Sequence, residues 1–186
     1  MKNRKRNRMV GFDYSSNNLY FVTICVQDRK CCFGYVGTLG TGSDLSVHSD
    51  DPNHTDDLNR IDDPKQSMNL NEYGSIAEKQ WQWLANQYAY VILHSFVIMP
   101  NHVHAILEID SNLVSESGAK VKSVSELLGA YKTTSSKQIH LAGFLDFSWQ
   151  RSFHDHIIRN GFSYARISNY IETNPERWIT DTFFDS

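Results

Sequence analysis

Two runs rich in apolar and β-branched residues, Tyr90 to Val97 and His102 to Ile109, stand on either side of Pro100-Asn101. Proline fixes φ and asparagine bonds its own backbone, so the spacing predicts a tight turn and an antiparallel hairpin. Side chains alternate along a strand, which sends Val103, Ala105, Leu107 and Ile109 to a core face. His102 and His104 then project from the other face about 7 Å apart at Cα, close enough for two imidazoles to converge on one divalent ion. Alone, such a pair is more often simply hydrogen-bonded, so it gains weight only if other donors converge on it.

The rest of the chain frames that hairpin. Tyr20 to Val26 is rich in β-branched and aromatic residues and reads as a first strand. Tyr73, Ile76, Ala77, Trp81, Leu84 and Tyr88 recur at steps of three or four and predict a helix from about Asn71 to Gln87. Ser123-Val124-Ser125-Glu126 has the form of a capping box, opening a second helix marked by Val124, Leu127, Leu128, Tyr131 and Ile139 and ending near Leu141 to Gly143. Phe153 to Arg159 reads as a fourth strand, and Ser163 to Asn174 as a third helix stopped by Pro175. The order β-α-β-β-α-β-α predicts an α+β, ferredoxin-like antiparallel sheet with an added C-terminal helix that carries Tyr170.

With 186 residues, 40% hydrophobic, the chain is expected to form one domain spanning 1–186. The net charge of −3 is local in origin. Residues 37–69 hold seven aspartates against Arg60 and Lys65, a balance of −5 that leaves +2 for the remainder. This stretch is also rich in Gly, Ser, Asn and Pro, lacks apolar periodicity, and is read as a mobile acidic insertion. No run of about 18 apolar residues occurs, and the basic start Met1 to Arg8 leads into polar sequence, so a cytoplasmic protein with no membrane partner is expected. Cys25, Cys31 and Cys32 form no C-x-x-C pair, which fits a reducing compartment and argues against thiolate-held zinc.

Tyr170 and Asn174 are four apart and would share one helical face, presenting a phenol beside an amide oxygen. Laid over the histidine strand, that face would offer Asn174 as a third ligand and Tyr170 beside a metal-bound phosphate. Imidazole and oxygen donors together suit Mg²⁺ or Mn²⁺. Tyr131 is a rival nucleophile, although its apolar-face spacing favours the core. His154-Asp155-His156 is a second H-x-H, read as structural or hydrogen-bonding, and Trp149 and Trp178 are read as packing residues. Arg4, Lys5, Arg6, Arg8, Lys132, Lys137, Arg151 and Arg159 are the candidates for phosphate contacts, and together they would make binding salt-sensitive.

At this point the chain resembles a family. His102-Val103-His104 is similar to the metal motif of the HUH endonucleases, and Asn169-Tyr170-Ile171-Glu172-Thr173-Asn174-Pro175 to the tyrosine helix of single-tyrosine transposases. Gly11-Phe12-Asp13-Tyr14, Tyr20-Phe21-Val22-Thr23, Val97 to His104 and Trp149 to Arg159 follow in the order seen in the IS200-like and REP-associated tyrosine transposases. Everything but the acidic stretch is covered. IS200-like enzymes commonly carry glutamine where this chain has Asn174, whereas REP-associated relatives often carry asparagine.

The resemblance implies metal-dependent cleavage and strand transfer of single-stranded or hairpin DNA, as in DNA transposition, by Tyr170 through a 5'-phosphotyrosyl intermediate. It also implies a monomer or a homodimer. A phenol of ordinary pKa near 10 is a poor nucleophile at neutral pH, so a cation that polarises the phosphate would supply the missing activation. The covalent ester retains the bond energy needed for rejoining. Two rivals stay open: a non-catalytic hairpin-DNA-binding protein derived from such a transposase, and a metal-dependent hydrolase that uses water instead of tyrosine.

Overall fold

Asn18–Cys25 (β1) buries Tyr20, Val22 and Ile24 completely, as period-two alternation in a central strand requires. The computed structural model describes residues 11–38, 65–118 and 120–184. Its other elements are Gly34–Thr38 (β2), Gln66–Leu70 (β3), Glu72–Gln87 (α1), Val91–Ile98 (β4), His102–Ile109 (β5), Val124–Leu141 (α2), His154–Ile158 (β6) and Gly161–Glu172 (α3). A 3-10 turn over Pro175–Thr180 follows α3. The fold is α+β. Its main sheet has the order β4-β5-β1-β6, and every pairing is antiparallel.

The two faces of the sheet are covered by different helices. Val103, Ala105, Leu107 and Ile109 of β5 join Tyr20, Val22 and Ile24 in a core closed by Ala77, Trp81 and Leu84 of α1 and Val124, Leu127, Leu128 and Tyr131 of α2. On the opposite face Ile106 and Ile158 pack against Ile167 and Ile171 of α3. His102 and His104 share the α3 side with Ile106, because alternate residues of one strand share a face.

The capping box read at Ser123 is realised, and α1 has a cap of its own. Ser123 and Glu126 form the reciprocal box at the start of α2, and the Asn71 side chain accepts from the Gly74 amide at 3.0 Å to cap α1. Gly74 is required by close approach rather than by its dihedrals: a Cβ there would lie 2.2 Å from the Phe33 carbonyl oxygen. Gly74→Ala is therefore expected to cost about 2 kcal/mol, about 4–8 °C of Tm for a chain of this size. Thermal unfolding followed by circular dichroism would check this, and an unchanged Tm would contradict the packing.

Three features differ from the expectations. The strands β2 and β3 pair as a separate two-stranded sheet. Residues 37–38 and 66–69 of the acidic stretch belong to these strands, while 39–64 lie outside the described residues. The third helix begins at Gly161, capped by Asn160, whose side chain accepts from the Ser163 amide at 2.8 Å, and it ends at Glu172. Asn174 nevertheless keeps helical dihedrals, and Pro175 opens the 3-10 turn, where its missing N–H costs nothing. Among the described residues no helix is long and apolar enough to cross a membrane.

Candidate metal and tyrosine site

The histidine pair is held by the turn that precedes it. Pro100 O accepts from the Cys32 and Phe33 amides at 2.8 and 3.1 Å, and Asn101 O accepts from the Val26 amide at 2.8 Å, so the turn is anchored to the end of β1 and the approach to β2. The Asn101 amide nitrogen donates to Arg29 O at 3.0 Å and to Phe183 O at 2.7 Å. Its Oδ1 is thereby left to accept from His102 Nδ1 at 2.8 Å. This assigns the Nδ1–H tautomer to His102 and leaves Nε2 with a free lone pair.

His104 stands in a row across the sheet. Thr23 of β1 is its register partner, and Thr23 Oγ1 lies 2.9 Å from His104 Nδ1. The Tyr170 hydroxyl lies 3.1 Å from His104 Nε2, and the two histidine rings are 4.4 Å apart between centroids. Thus α3 lays Tyr170 over the histidine strand.

The C-terminal segment completes the enclosure. The Asn174 amide nitrogen donates to Asp181 Oδ2 at 3.0 Å, while its Oδ1 is buried without a hydrogen-bond partner. Asp181 Oδ1 accepts from the Phe183 amide at 2.8 Å, and the Phe183 ring covers His102 with centroids 4.6 Å apart. Arg29 ties this segment down by donating to Thr182 O at 2.9 Å. Asp28 and Arg29 both adopt φ of 54°, a left-handed conformation rare for residues with a side chain, beside the turn that carries Asn101.

The donor set fits a divalent cation. One ligand atom each from His102, His104 and Asp181 lie within 4.8 Å of one another. His102 Nε2 and Asn174 Oδ1 are both buried without partners, and leaving such atoms unmade costs about 1–3 kcal/mol each, which a cation would offset. Two imidazoles, a carboxylate and an amide oxygen suit Mn²⁺, and Mg²⁺ less readily. Asp181 was not anticipated from sequence: it lies seven residues beyond Asn174, past a proline, in no periodic pattern.

Burial keeps the two histidines neutral. Desolvation pushes His104 down to about 4, with Asp181 opposing, and holds His102 well below its ordinary value, with His104 and Arg29 adding to the effect. In the metal-free protein the unfolded chain then takes up protons that the folded one refuses as pH falls. Stability is full above about pH 6.5 and declines down to about pH 4, with His104 alone accounting for about 3 kcal/mol. Urea unfolding in chelator across this window is expected to show the decline; a constant midpoint would contradict neutral burial. Burial also raises the Tyr170 hydroxyl and the Asp181 charge adds to it, while the Asn174 side chain and Arg177 act the other way.

The other candidates fall in several places. Tyr131 is fully buried against Trp81 and Trp149, with its hydroxyl donating to Ala77 O at 3.3 Å. Trp149 and Trp178 are buried. The Lys132 ammonium donates to Gln150 O at 2.8 Å and Ser152 O at 3.1 Å. Lys137, Arg151 and Arg159 are exposed, and Arg159 lines a cleft of about 370 Å³ with Tyr14, His156 and Asn160. His154 pairs with Thr23 and so shares its row with His104, two strands away. Arg4, Lys5, Arg6 and Arg8 lie outside the described residues.

This architecture, an antiparallel sheet with helices on both faces, is that of a single-tyrosine-transposase-like fold. The solved structure of a REP-associated tyrosine transposase bound to a REP hairpin is similar over 95% of this chain and 74% of that one, with a TM-score of 0.51 at 16% identity. A crystal structure of a transposase candidate from Deinococcus radiodurans aligns over 92% and 96% of the two chains, with a TM-score of 0.45 at 15% identity. In sequence the chain is 26% identical to an uncharacterised protein of Haemophilus influenzae, over 97% of this chain and 93% of that protein. No protein-family model matches.

Proposed function

We propose that the protein cleaves and rejoins single-stranded DNA beside a hairpin, with Tyr170 as nucleophile and His102, His104 and Asn174 as metal ligands, joined by Asp181. The observation that carries this is the Tyr170 hydroxyl 3.1 Å from Nε2 of a buried histidine pair whose second member, His102, has an unpartnered Nε2. The solved relative with a REP hairpin supports a hairpin substrate. The strand order and all-antiparallel pairing support the ferredoxin-like, split β-α-β reading of the sheet.

In the reaction the Tyr170 oxygen attacks the scissile phosphorus, the P–O3' bond breaks, and a 5'-phosphotyrosyl ester forms. The phenol gives up its proton as the bond forms and the departing 3'-oxygen takes one up to leave as a free hydroxyl, so the step neither gains nor loses a proton overall. A bound Mn²⁺ or Mg²⁺ supplies charge stabilisation at the phosphate. The chain's own residues prepare this. Asn101 holds His102 in the tautomer with a bare Nε2, and Thr23 orients the His104 ring. Asp181 turns the Asn174 amide so that its oxygen is left free. In the metal-free protein the phenol lies against His104 Nε2; with that lone pair given to a cation, the Tyr170 oxygen would be left beside it, and the reverse attack by the 3'-hydroxyl on the ester rejoins the strand.

A second reading, a hairpin-DNA-binding protein that does not cleave, is favoured by one observation: His102 is fully buried, with Phe183 over its ring. Incubation with end-labelled single-stranded DNA carrying a hairpin, with Mn²⁺ or Mg²⁺, separates the two on a denaturing gel. A protein–DNA adduct supports cleavage. Retarded DNA on a native gel without any adduct or nick supports the binding module, and nicking with no adduct supports a water nucleophile.

A further inference from the structure

The α3 helix is fastened to the sheet by a polar latch that no part of the proposed chemistry uses. Between Leu93 and Phe96 the β4 strand slips register against β5: Leu93 faces Leu107 and Phe96 faces Ala105, so one extra residue lies in β4. In a regular strand the neighbours His94 and Ser95 would point to opposite faces. The bulge turns both to α3. His94 Nε2 lies 2.8 Å from Glu108 Oε2 and its Nδ1 lies 3.2 Å from the Tyr164 hydroxyl. Because a carboxylate can only accept, Nε2 carries the proton and, in the neutral ring, Nδ1 accepts from Tyr164. Ser95 Oγ bonds Ser168 Oγ, and the two hydroxyls lie 3.3 and 3.4 Å from Glu172 Oε1, so that one hydroxyl donates to the other and the second donates to the carboxylate.

Tyr164, Ser168 and Glu172 are spaced by four and form one stripe along α3. At about 100° per residue, Tyr170 falls on the other flank of the buried stripe made by Ile167 and Ile171. The apolar stripe alone would let the helix roll on the sheet, since contacts between Ile side chains are non-directional. The hydrogen bonds on one flank fix that roll, and with it the phenol on the other. A roll of about 20° would carry a tyrosine hydroxyl about 3 Å, enough to break its contact with His104 Nε2.

We propose that His94 and Ser95, through Tyr164 and Ser168, are positioning residues that set the rotation of α3 and hold the Tyr170 hydroxyl at the histidine pair. This rests on the reading of Tyr170 as nucleophile only for its kinetic consequence; the geometric claim stands apart from it. The test uses Tyr164→Phe, Ser168→Ala and their combination in the full chain, which remove hydroxyls and leave the apolar stripe.

The first readout needs no activity: the imidazole ¹⁵N resonances of His104 in the metal-free protein, with Tyr170→Phe as the reference for a lost phenol contact. The double variant is expected to move the His104 Nε2 signal toward that reference, and each single variant to move it part of the way. A signal that stays at the wild-type position in all three, with Tm retained, overturns the proposal. The second readout is single-turnover adduct formation on hairpin-bearing single-stranded DNA. The double variant is expected to slow it about 10–100-fold, as misplacement of a reacting group does, while the Kd for the hairpin stays within about two-fold. An equal loss in rate and in hairpin binding would mean general loosening and would also overturn it. If the wild type forms no adduct, the functional reading fails and the ¹⁵N result alone decides the latch.

Discussion

Tyr170→Phe is expected to abolish covalent attachment to hairpin-bearing single-stranded DNA, by about 10⁴-fold or more, while hairpin binding changes little. The substitution removes one oxygen. Phe keeps the edge-on packing of the ring against Phe21, with centroids 6.2 Å apart, and loses the hydroxyl's contacts with His104 and the Asn174 side chain. Denaturing gels for the adduct and native gels for binding, run on the same preparations, give the two readouts. An adduct retained in Tyr170→Phe would transfer the role to another tyrosine. Tyr131 is a poor alternative, because full burial raises its hydroxyl far above its ordinary value and its oxygen faces Ala77 O. Tyr131→Phe is expected to leave the adduct in place.

The second large effect concerns the metal. His102→Gln and His104→Gln are each expected to weaken Mn²⁺ binding about 100-fold or more, because each takes away an imidazole lone pair that, among the described residues, only these two buried positions supply. Asp181→Asn is the more informative variant. In asparagine one of the two oxygens becomes an NH₂ group, so of the contacts from the Asn174 amide to Oδ2 and the Phe183 amide to Oδ1 only one can be kept, and a retained Tm is the control that the enclosure persists. A loss of about 10–100-fold in Mn²⁺ affinity would then mark the carboxylate as a ligand. Unchanged affinity would confine Asp181 to orienting Asn174. Isothermal titration with Mn²⁺ on chelator-stripped protein gives both answers without any DNA, so a failure here is separate from a failure of cleavage.

Much of this was legible in the residues. The hairpin His102 to Ile109 was readable because its alternation and its Pro100-Asn101 turn are local properties. The extent of α1 was readable from the three-and-four spacing of its apolar residues, and the start of α2 from the Ser123–Glu126 box, which caps through contacts three residues away. Local signals failed where partners are distant. The strands β2 and β3 carry glycine and polar residues with no clear periodicity, and they pair across a separation of more than 25 residues. The bulge at His94 and Ser95 is invisible in a run that reads as a plain strand; it emerges only from the register against β5.

The site divides along the same line. Residue types and spacing singled out His102, His104, Tyr170 and Asn174 as candidates, since a strand places residues two apart and a helix residues four apart on a common face whatever else the chain does. That these two faces meet could only come from α3 packing Ile167 and Ile171 on Ile106 and Ile158. Asp181, the Phe183 cover and the engagement of Lys132 with two backbone carbonyls were decided at the same level. Their partners lie at positions that no periodicity links, and a hydrogen bond across a folded interior is set by where the core brings two segments together. The candidate donors were legible in local spacing; which of them stand together, and how deeply they are buried, was settled by packing.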